Sequence, residues 1–233
     1  SVNGYDPETV DSYEGGLKGY FFDRRLTLNS AVFYAQYKDQ QVTLQTPVGA
    51  TIASQVLNVG ESHMTGVELE GVATFTDYLS ANFALGYIKA EFDEYRALDL
   101  TATPPVIRDF ADSRVFQNTP EWTGAFGLTY TRDLGDNGTI AFIPTASYRS
   151  SFSMFEIPSM LDQDSYWLLD ASLTWTSADD RYRVGLHGKN LGDETYRVGG
   201  YNFPQSAGVL FGNSVNAFYG PPRTVTVSLE AKF

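Results

Sequence analysis

Cysteine is absent from this chain of 233 residues. That excludes a disulfide framework, a thiolate zinc site, an iron–sulfur cluster and a cysteine nucleophile. Histidine is nearly absent: only His63 and His187 occur, so a multi-histidine metal centre is excluded and no metal site is expected. Basic residues are few, 16 Lys and Arg against 28 Asp and Glu, for a net charge of −12. No nucleic-acid partner is expected, because such binding needs a basic patch, and attachment to an anionic lipid surface is disfavoured for the same reason. No run of about 18 apolar residues could form a transmembrane helix. Ser1 to Pro7 show neither a basic n-region nor an apolar core, so no signal peptide is read there.

Aromatic residues are abundant: 15 Tyr, 16 Phe and 3 Trp, beside 21 Gly. With a mean hydropathy of −0.23, this composition favours many strands over helices. Period-2 alternation confirms the preference. In 224–233, Val225, Val227, Leu229, Ala231 and Phe233 share one face, opposite Thr224, Thr226, Ser228, Glu230 and Lys232. The same pattern runs through 79–88, 122–131 and 167–176, and more weakly through 13–22, 26–37, 66–75, 140–149 and 182–190. About nine strands result. In 26–37 the phase is ambiguous, because Val32 and Phe33 compete for the apolar face.

Connections alternate between short turns (22–25, 76–78, 133–138, 177–181) and long segments (46–61, 93–118, 153–164, 191–222). A membrane barrel does this by construction, with short periplasmic turns and long extracellular loops. Aromatics also recur at two depths on the apolar face. Tyr13 and Phe21, Trp122 and Tyr130, and Trp167 and Trp175 each lie eight residues apart, and Tyr87, Tyr148 and Tyr182 sit at strand ends. Eight residues at about 3.3 Å, inclined by about 45°, span roughly 19 Å, close to the apolar band between two aromatic girdles. The expected fold is therefore an all-β, antiparallel transmembrane β-barrel. Bacterial single-chain barrels use an even strand count, so nine strands read as the C-terminal part of a larger barrel.

Several segments, in order, resemble the barrel of TonB-dependent outer-membrane receptors: Asp6 to Lys18 (DPETVDSYEGGLK), Leu28 to Asp39 (LNSAVFYAQYKD), Gly66 to Glu70 (GVELE), Thr119 to Trp122 (TPEW), Lys189 to Tyr196 (KNLGDETY) and Gly220 to Arg223 before the closing strand. The resemblance implies a barrel of about 22 strands, with residues 1–233 supplying its last nine or so and no plug domain in this stretch. It also implies active uptake of a scarce solute in the outer membrane of a Gram-negative bacterium, a ferric siderophore being the commonest cargo. Implied partners are the remaining strands and plug, the TonB complex through the N-terminal part, the bilayer with its lipopolysaccharide, the barrel-assembly machinery and the solute. No cofactor and no enzymatic activity are implied.

Individual residues take their expected roles from phase. Lys18, Glu68, Glu70, Arg149, Asp170, His187 and Lys189 fall on the polar, lumen-side face. Glu68 and Glu70 are spaced for acid–base chemistry, but their strand carries Val67 and Leu69 on its other face, and pairing with Lys18, Arg149 or Lys189 is the simpler expectation. Asp170, Ser172 and His187 are triad types without a nucleophile-elbow motif. His63 falls at a loop edge with no His or Cys partner. The long segment before the last strand carries no charge between Arg197 and Arg223. Its Tyr201, Asn202, Phe203, Gln205, Asn216, Phe218 and Tyr219 suit a glycan or planar siderophore by stacking and hydrogen bonding. Phe233 resembles the terminal aromatic of the outer-membrane assembly signal. Competing readings are a passive or structural barrel, a barrel hydrolase using Ser172 and His187, and a soluble β-sandwich that binds carbohydrate.

Overall fold

A computed structural model describes residues 4–48, 51–99, 101–104, 106–203 and 214–233. It is an antiparallel meander: β1 (Thr9–Phe21), β2 (Leu26–Val48), β3 (Thr51–Thr76), β4 (Leu79–Asp99), β5 (Val106–Asp109), β6 (Trp122–Asp133), β7 (Thr139–Arg149), β8 (Tyr166–Thr176), β9 (Tyr182–Lys189), β10 (Arg197–Phe203), β11 (Ser214–Tyr219) and β12 (Thr224–Ala231). The main sheet runs β1-β2-β3-β4-β6-β7-β8-β9-β12. Each of its nine strands contains one of the alternating segments. β5 pairs only with the end of β4, and β10 and β11 form a separate hairpin. Among the described residues β1 and β12 each have a single partner strand, so the sheet is open.

Three of the long connections differ from the sequence expectation. Most of 46–61 continues β2 and β3 as a tall hairpin, with pairs from Gln41–Asn58 to Val48–Thr51. Within 93–118, β4 runs on to Asp99, β5 pairs back on it, and a 3-10 turn (Ala111–Ser113) follows. Within 191–222 stand β10 and β11. The physical reason is common to all three. Backbone ladders satisfy N–H and C=O groups whether or not one face is apolar, so a strand that presents no continuous apolar face needs no strict alternation.

The register settles the phase of β2. Phe33 pairs with Gly66 on the polar face, its ring lying where a Cβ of Gly66 would stand, while Val32 pairs with Val67 on the apolar face. There is no single interior. Leu17, Val227 and Leu229 are 78%, 66% and 79% exposed on the apolar face. So continuous an apolar surface is built for a non-aqueous neighbour. Buried residues form two small clusters at the loop end instead: Val42, Val59 and Tyr95, and Phe152, Met154, Leu161 and Tyr166.

Candidate functional site

The polar wall is built from cross-strand rows. One row runs Lys18, Asn29, Glu70, Ala84, Ala125, Ser147 and Leu168; the next runs Gly16, Ala31, Glu68, Gly86, Thr123, Arg149 and Tyr166. Small residues beside the carboxylates leave a cavity of about 420 Å³ whose lining includes Glu14, Lys18, Asn29, Glu68, Glu70 and Thr123. The expected ion pairs are not made. Asn29 donates its amide to Glu70 (2.9 Å), interposed in the row between Glu70 and Lys18. Arg149 stands level with Glu68 but three strands away, roughly 14 Å at sheet spacing, and packs its guanidinium over the Phe152 ring at 5.5 Å.

The triad types are dispersed as well. His187 pairs with Ser172 across β8 and β9, yet its Nε2 contacts Ser228 Oγ at 3.1 Å. Asp170 accepts the Asn190 N–H at 2.8 Å. No relay links the three. His63 lies within β3 rather than at a loop edge, with Nδ1 at 2.9 Å from Asp93 and its ring stacked on Tyr34 at 6.1 Å. Lys189 closes β9 opposite Thr224.

On the apolar face the aromatics form contacts at two levels. Tyr13 pairs with Tyr34; Tyr87 packs on Trp122 (4.7 Å) and Tyr148 on Trp167 (4.8 Å). Phe21, Tyr130, Trp175 and Tyr182 stand at the other level. Tyr130 packs edge-on against Tyr78 (5.8 Å), and Trp175 Nε1 donates to the Asn137 carbonyl (2.8 Å). Followed along the rows, both levels shift by two residues at a time in the same direction. The row of Tyr13 meets β4 at Lys89, that of Trp122 at Tyr87 and that of Tyr148 at Leu85. Phe233 lies two residues beyond the end of β12 and is fully exposed.

Above this wall two loops fold inward, a feature the sequence reading missed. Segment 110–121 lies against Phe92, with Phe116 stacked on the Phe92 ring at 4.3 Å. Segment 150–163 lies against Tyr166 and Leu168, which belong to the polar face of β8. The two are tied together: the amides of Val115 and Asn118 donate to the carbonyls of Glu156 (2.9 Å) and Ser153 (2.8 Å). Tyr95, wholly buried, donates its hydroxyl to Glu156 at 2.7 Å. Burial, and then the Glu156 carboxylate, push that phenol above its ordinary range. Arg114 lies over Tyr95 at 5.2 Å and Phe110 at 5.4 Å. Asp162 organises the second loop, accepting from Ser153, Met154 and Ser159.

Of the residues expected to contact a ligand before the last strand, Gln205 lies outside the described residues. Phe203 ends β10 and pairs with Ser214. Tyr201, Asn216 and Phe218 share one face of the β10–β11 hairpin, with Tyr201 edge-on to Phe218 at 5.5 Å. Asn202 and Tyr219 belong to the other face, where Gly200 and Ala217 meet Leu161. Among the side chains described, the structure unites Tyr201, Asn216 and Phe218 and sets Asn202 and Tyr219 apart from them. Asn190, 5% exposed, holds the base of the hairpin by hydrogen bonds to Glu194 and Pro221.

An open meander with one apolar face, one polar face, aromatics at two levels and loops folded over one end defines a segment of an outer-membrane β-barrel. A family model described as TonB dependent receptor-like, beta-barrel matches residues 1–191, and the chain belongs to that family. Its sequence is 29% identical over 224 residues to the pesticin receptor of Yersinia enterocolitica, covering 95% of this chain and 29% of the relative. It is 27% identical over 227 residues to the ferric-pyoverdine M114 receptor PbuA of Pseudomonas sp. (strain M114), covering 97% and 25%. The fold is similar to that of the ferric yersiniabactin uptake receptor FyuA from Yersinia pestis (TM-score 0.68, 22% identity, 97% of this chain and 30% of that one). It is also similar to the siderophore receptor PiuA from Acinetobacter baumannii (TM-score 0.69, 19% identity, 96% and 28%). The chain therefore spans less than a third of the length of these relatives. All four are named as receptors.

Proposed function

We propose that these strands are the C-terminal wall of an outer-membrane receptor that takes up a ferric siderophore with energy relayed by the TonB complex. The observation that carries the reading is the family match along 1–191 on a sheet whose register keeps every spanning strand two-faced. The name of the ferric-pyoverdine receptor among the relatives, and that of the ferric yersiniabactin uptake receptor among the solved structures, support iron chelates as cargo. The free edges of β1 and β12 receive the remaining strands, and the polar wall encloses a plug domain supplied by the rest of the receptor. The apolar face, with Tyr13, Phe21, Tyr87, Trp122, Tyr130, Tyr148, Trp167, Trp175 and Tyr182 as its girdles, meets lipid and lipopolysaccharide. Phe233 is read by the barrel-assembly machinery. The residues of the wall bind and pass a solute, with no covalent step.

The test is uptake of radioactive iron by cells whose only siderophore receptor is the complete protein containing this chain. Iron accumulation that stops when TonB is deleted is expected. Accumulation that continues without TonB, or in de-energised cells, would identify a passive barrel instead.

A further inference from the structure

The loop 150–163 carries an apolar tip on the side of the sheet that the polar wall encloses. A bridge between Phe152 and Gln163 closes the loop, and its body packs on Tyr166 and Leu168 of the polar face of β8. From there it crosses to Tyr95 on β4, three strands away, through Glu156 (2.7 Å). The tip itself is uncharged. Ile157 and Met160 are 54% and 76% exposed, and Pro158 between them is exposed too. Its position is nevertheless fixed. Asp162 accepts the Ser159 N–H at 3.1 Å, and Leu161 is buried against the β10–β11 hairpin at Gly200. Arg197 donates its backbone N–H to the Gln163 carboxamide (2.6 Å) and its guanidinium to the Asp162 carbonyl (2.9 Å). Beneath the loop, Arg149 is exposed on the polar face of β7. Its guanidinium lies over the Phe152 ring at 5.5 Å and makes no ion pair among the described residues.

We infer that this tip and Arg149 together form a docking surface for the plug domain. An apolar patch of the plug packs on Ile157, Pro158 and Met160, and a plug carboxylate pairs with Arg149. This rests on the receptor reading and deepens it. Topology excludes two other neighbours. Lipid meets the opposite face of the sheet, and the remaining strands join at β1 and β12, whereas β7 and β8 are interior to it. The relatives extend over more than two-thirds of their length beyond the part matched here, so the domain that fills the enclosed space comes from chain outside this stretch. A solute is only a visitor. Apolar surface held rigidly in an aqueous lumen stays wet whenever the solute is absent, and a permanent neighbour removes that cost. The charge beneath points the same way. The carboxylate in the row of Arg149, Glu68, is three strands off, and Glu121, two residues before its partner Thr123, makes no ion pair with it. An unpaired guanidinium facing the same space is complemented by a carboxylate, which it can hold through two parallel hydrogen bonds.

The test places the photocrosslinker p-benzoylphenylalanine in place of Met160 in the complete receptor, in detergent and without an iron chelate, and maps the product by mass spectrometry. A product that joins the tip to the plug is expected. No product, or one that joins the tip only to residues 204–213, to another extracellular loop or to lipopolysaccharide, overturns the inference. So does a product that forms only when a ferric chelate is added, which would make the tip a solute contact. Amide exchange supplies the second measurement. Ile157→Ser with Met160→Ser, and separately Arg149→Gln, alter exposed side chains, so barrel peptides should exchange as in the wild type. The plug peptides that crosslink should exchange at least about fivefold faster in both. Arg149→Lys keeps the charge and should recover part of that protection. Unchanged plug exchange in a protein that still imports iron overturns the inference alone. A complete protein with no plug domain would remove the receptor reading and this inference together.

Discussion

Single residues at the loop end carry more of the architecture than their number suggests. Asn190 has a left-handed backbone (φ 48°) and uses its amide group completely. Oδ1 accepts the Glu194 N–H at 2.8 Å, and Nδ2 donates to the carbonyls of Glu194 (2.8 Å) and Pro221 (3.1 Å). Asn190→Ala leaves these buried groups unpaired and puts alanine in a left-handed conformation that Asn tolerates better. A loss of about 2–4 kcal/mol is expected, read as a lower unfolding temperature of the complete receptor, with Asn190→Gly recovering only the backbone part. Asp109 is a second such residue. Its carboxylate accepts the N–H groups of Tyr95 (2.9 Å) and Ala111 (3.0 Å), and these hold its pKa below the ordinary 3.8. A lowered folded-state value means its stabilising contribution is complete above the ordinary value and is lost as pH falls through the lowered one. Amide exchange around β5 and the 3-10 turn should therefore speed up only in strong acid. Asp109→Ala should show the fast exchange already at neutral pH, and equal exchange in both proteins would contradict this role. Neither role was read from sequence, because the partners, Glu194 and Ala111 nearby and Pro221 and Tyr95 farther off, follow no period.

At the scale of the strand, the sequence was informative for the reason that it fails elsewhere. All nine strands of the main sheet were legible, because each must present an apolar and a polar face, and period-2 alternation is the direct trace of that demand. In the upper parts of β2, β3 and β4 burial is local, with Val42, Val59 and Tyr95 packed in one cluster rather than along a continuous apolar face, so the trace vanishes and the strands were read as loops. The inward fold of 110–121 and 150–163 was illegible for another reason: it depends on contacts such as Tyr95 with Glu156, separated by 61 residues. In the register Lys18, Glu68, Glu70, Asp170 and His187 lie on the face opposite Val67 and Leu69, and their partners did not follow from phase. A pair of adjacent substitutions tests the two faces. Ala171 lies on the apolar face midway between Trp167 and Trp175, and Ser172 lies on the polar face opposite His187. Ala171→Arg should cost about 2–4 kcal/mol in a lipid bilayer and Ser172→Arg much less. Equal costs in denaturant unfolding from vesicles would refute the assignment of faces.

The whole described sheet is a wall with two unpaired margins. β1 and β12 each present a row of backbone donors and acceptors, and exposed edges of this length pair with other strands. The 233-residue chain made on its own should therefore associate in detergent through these edges and show none of the heat-dependent gel mobility of a closed barrel. A monodisperse, detergent-free monomer in light scattering would contradict this reading. The two-residue steps of the aromatic levels have a consequence at the same scale. From Phe21 on β1 to Tyr182 on β9 the level that holds Phe21, Tyr130, Trp175 and Tyr182 shifts by six residues over seven strand-to-strand steps. With a rise of about 3.3 Å per residue and strands about 4.8 Å apart, that climb inclines the strands by about 30° to the barrel axis. Eight residues between the two levels then reach roughly 23 Å across the membrane. Hydrophobic thickness is thus encoded in strand register rather than in strand length. This wall matches a bilayer thinner than the roughly 30 Å average, as the bacterial outer membrane is, and vesicles of longer-chain lipid would have to thin around it.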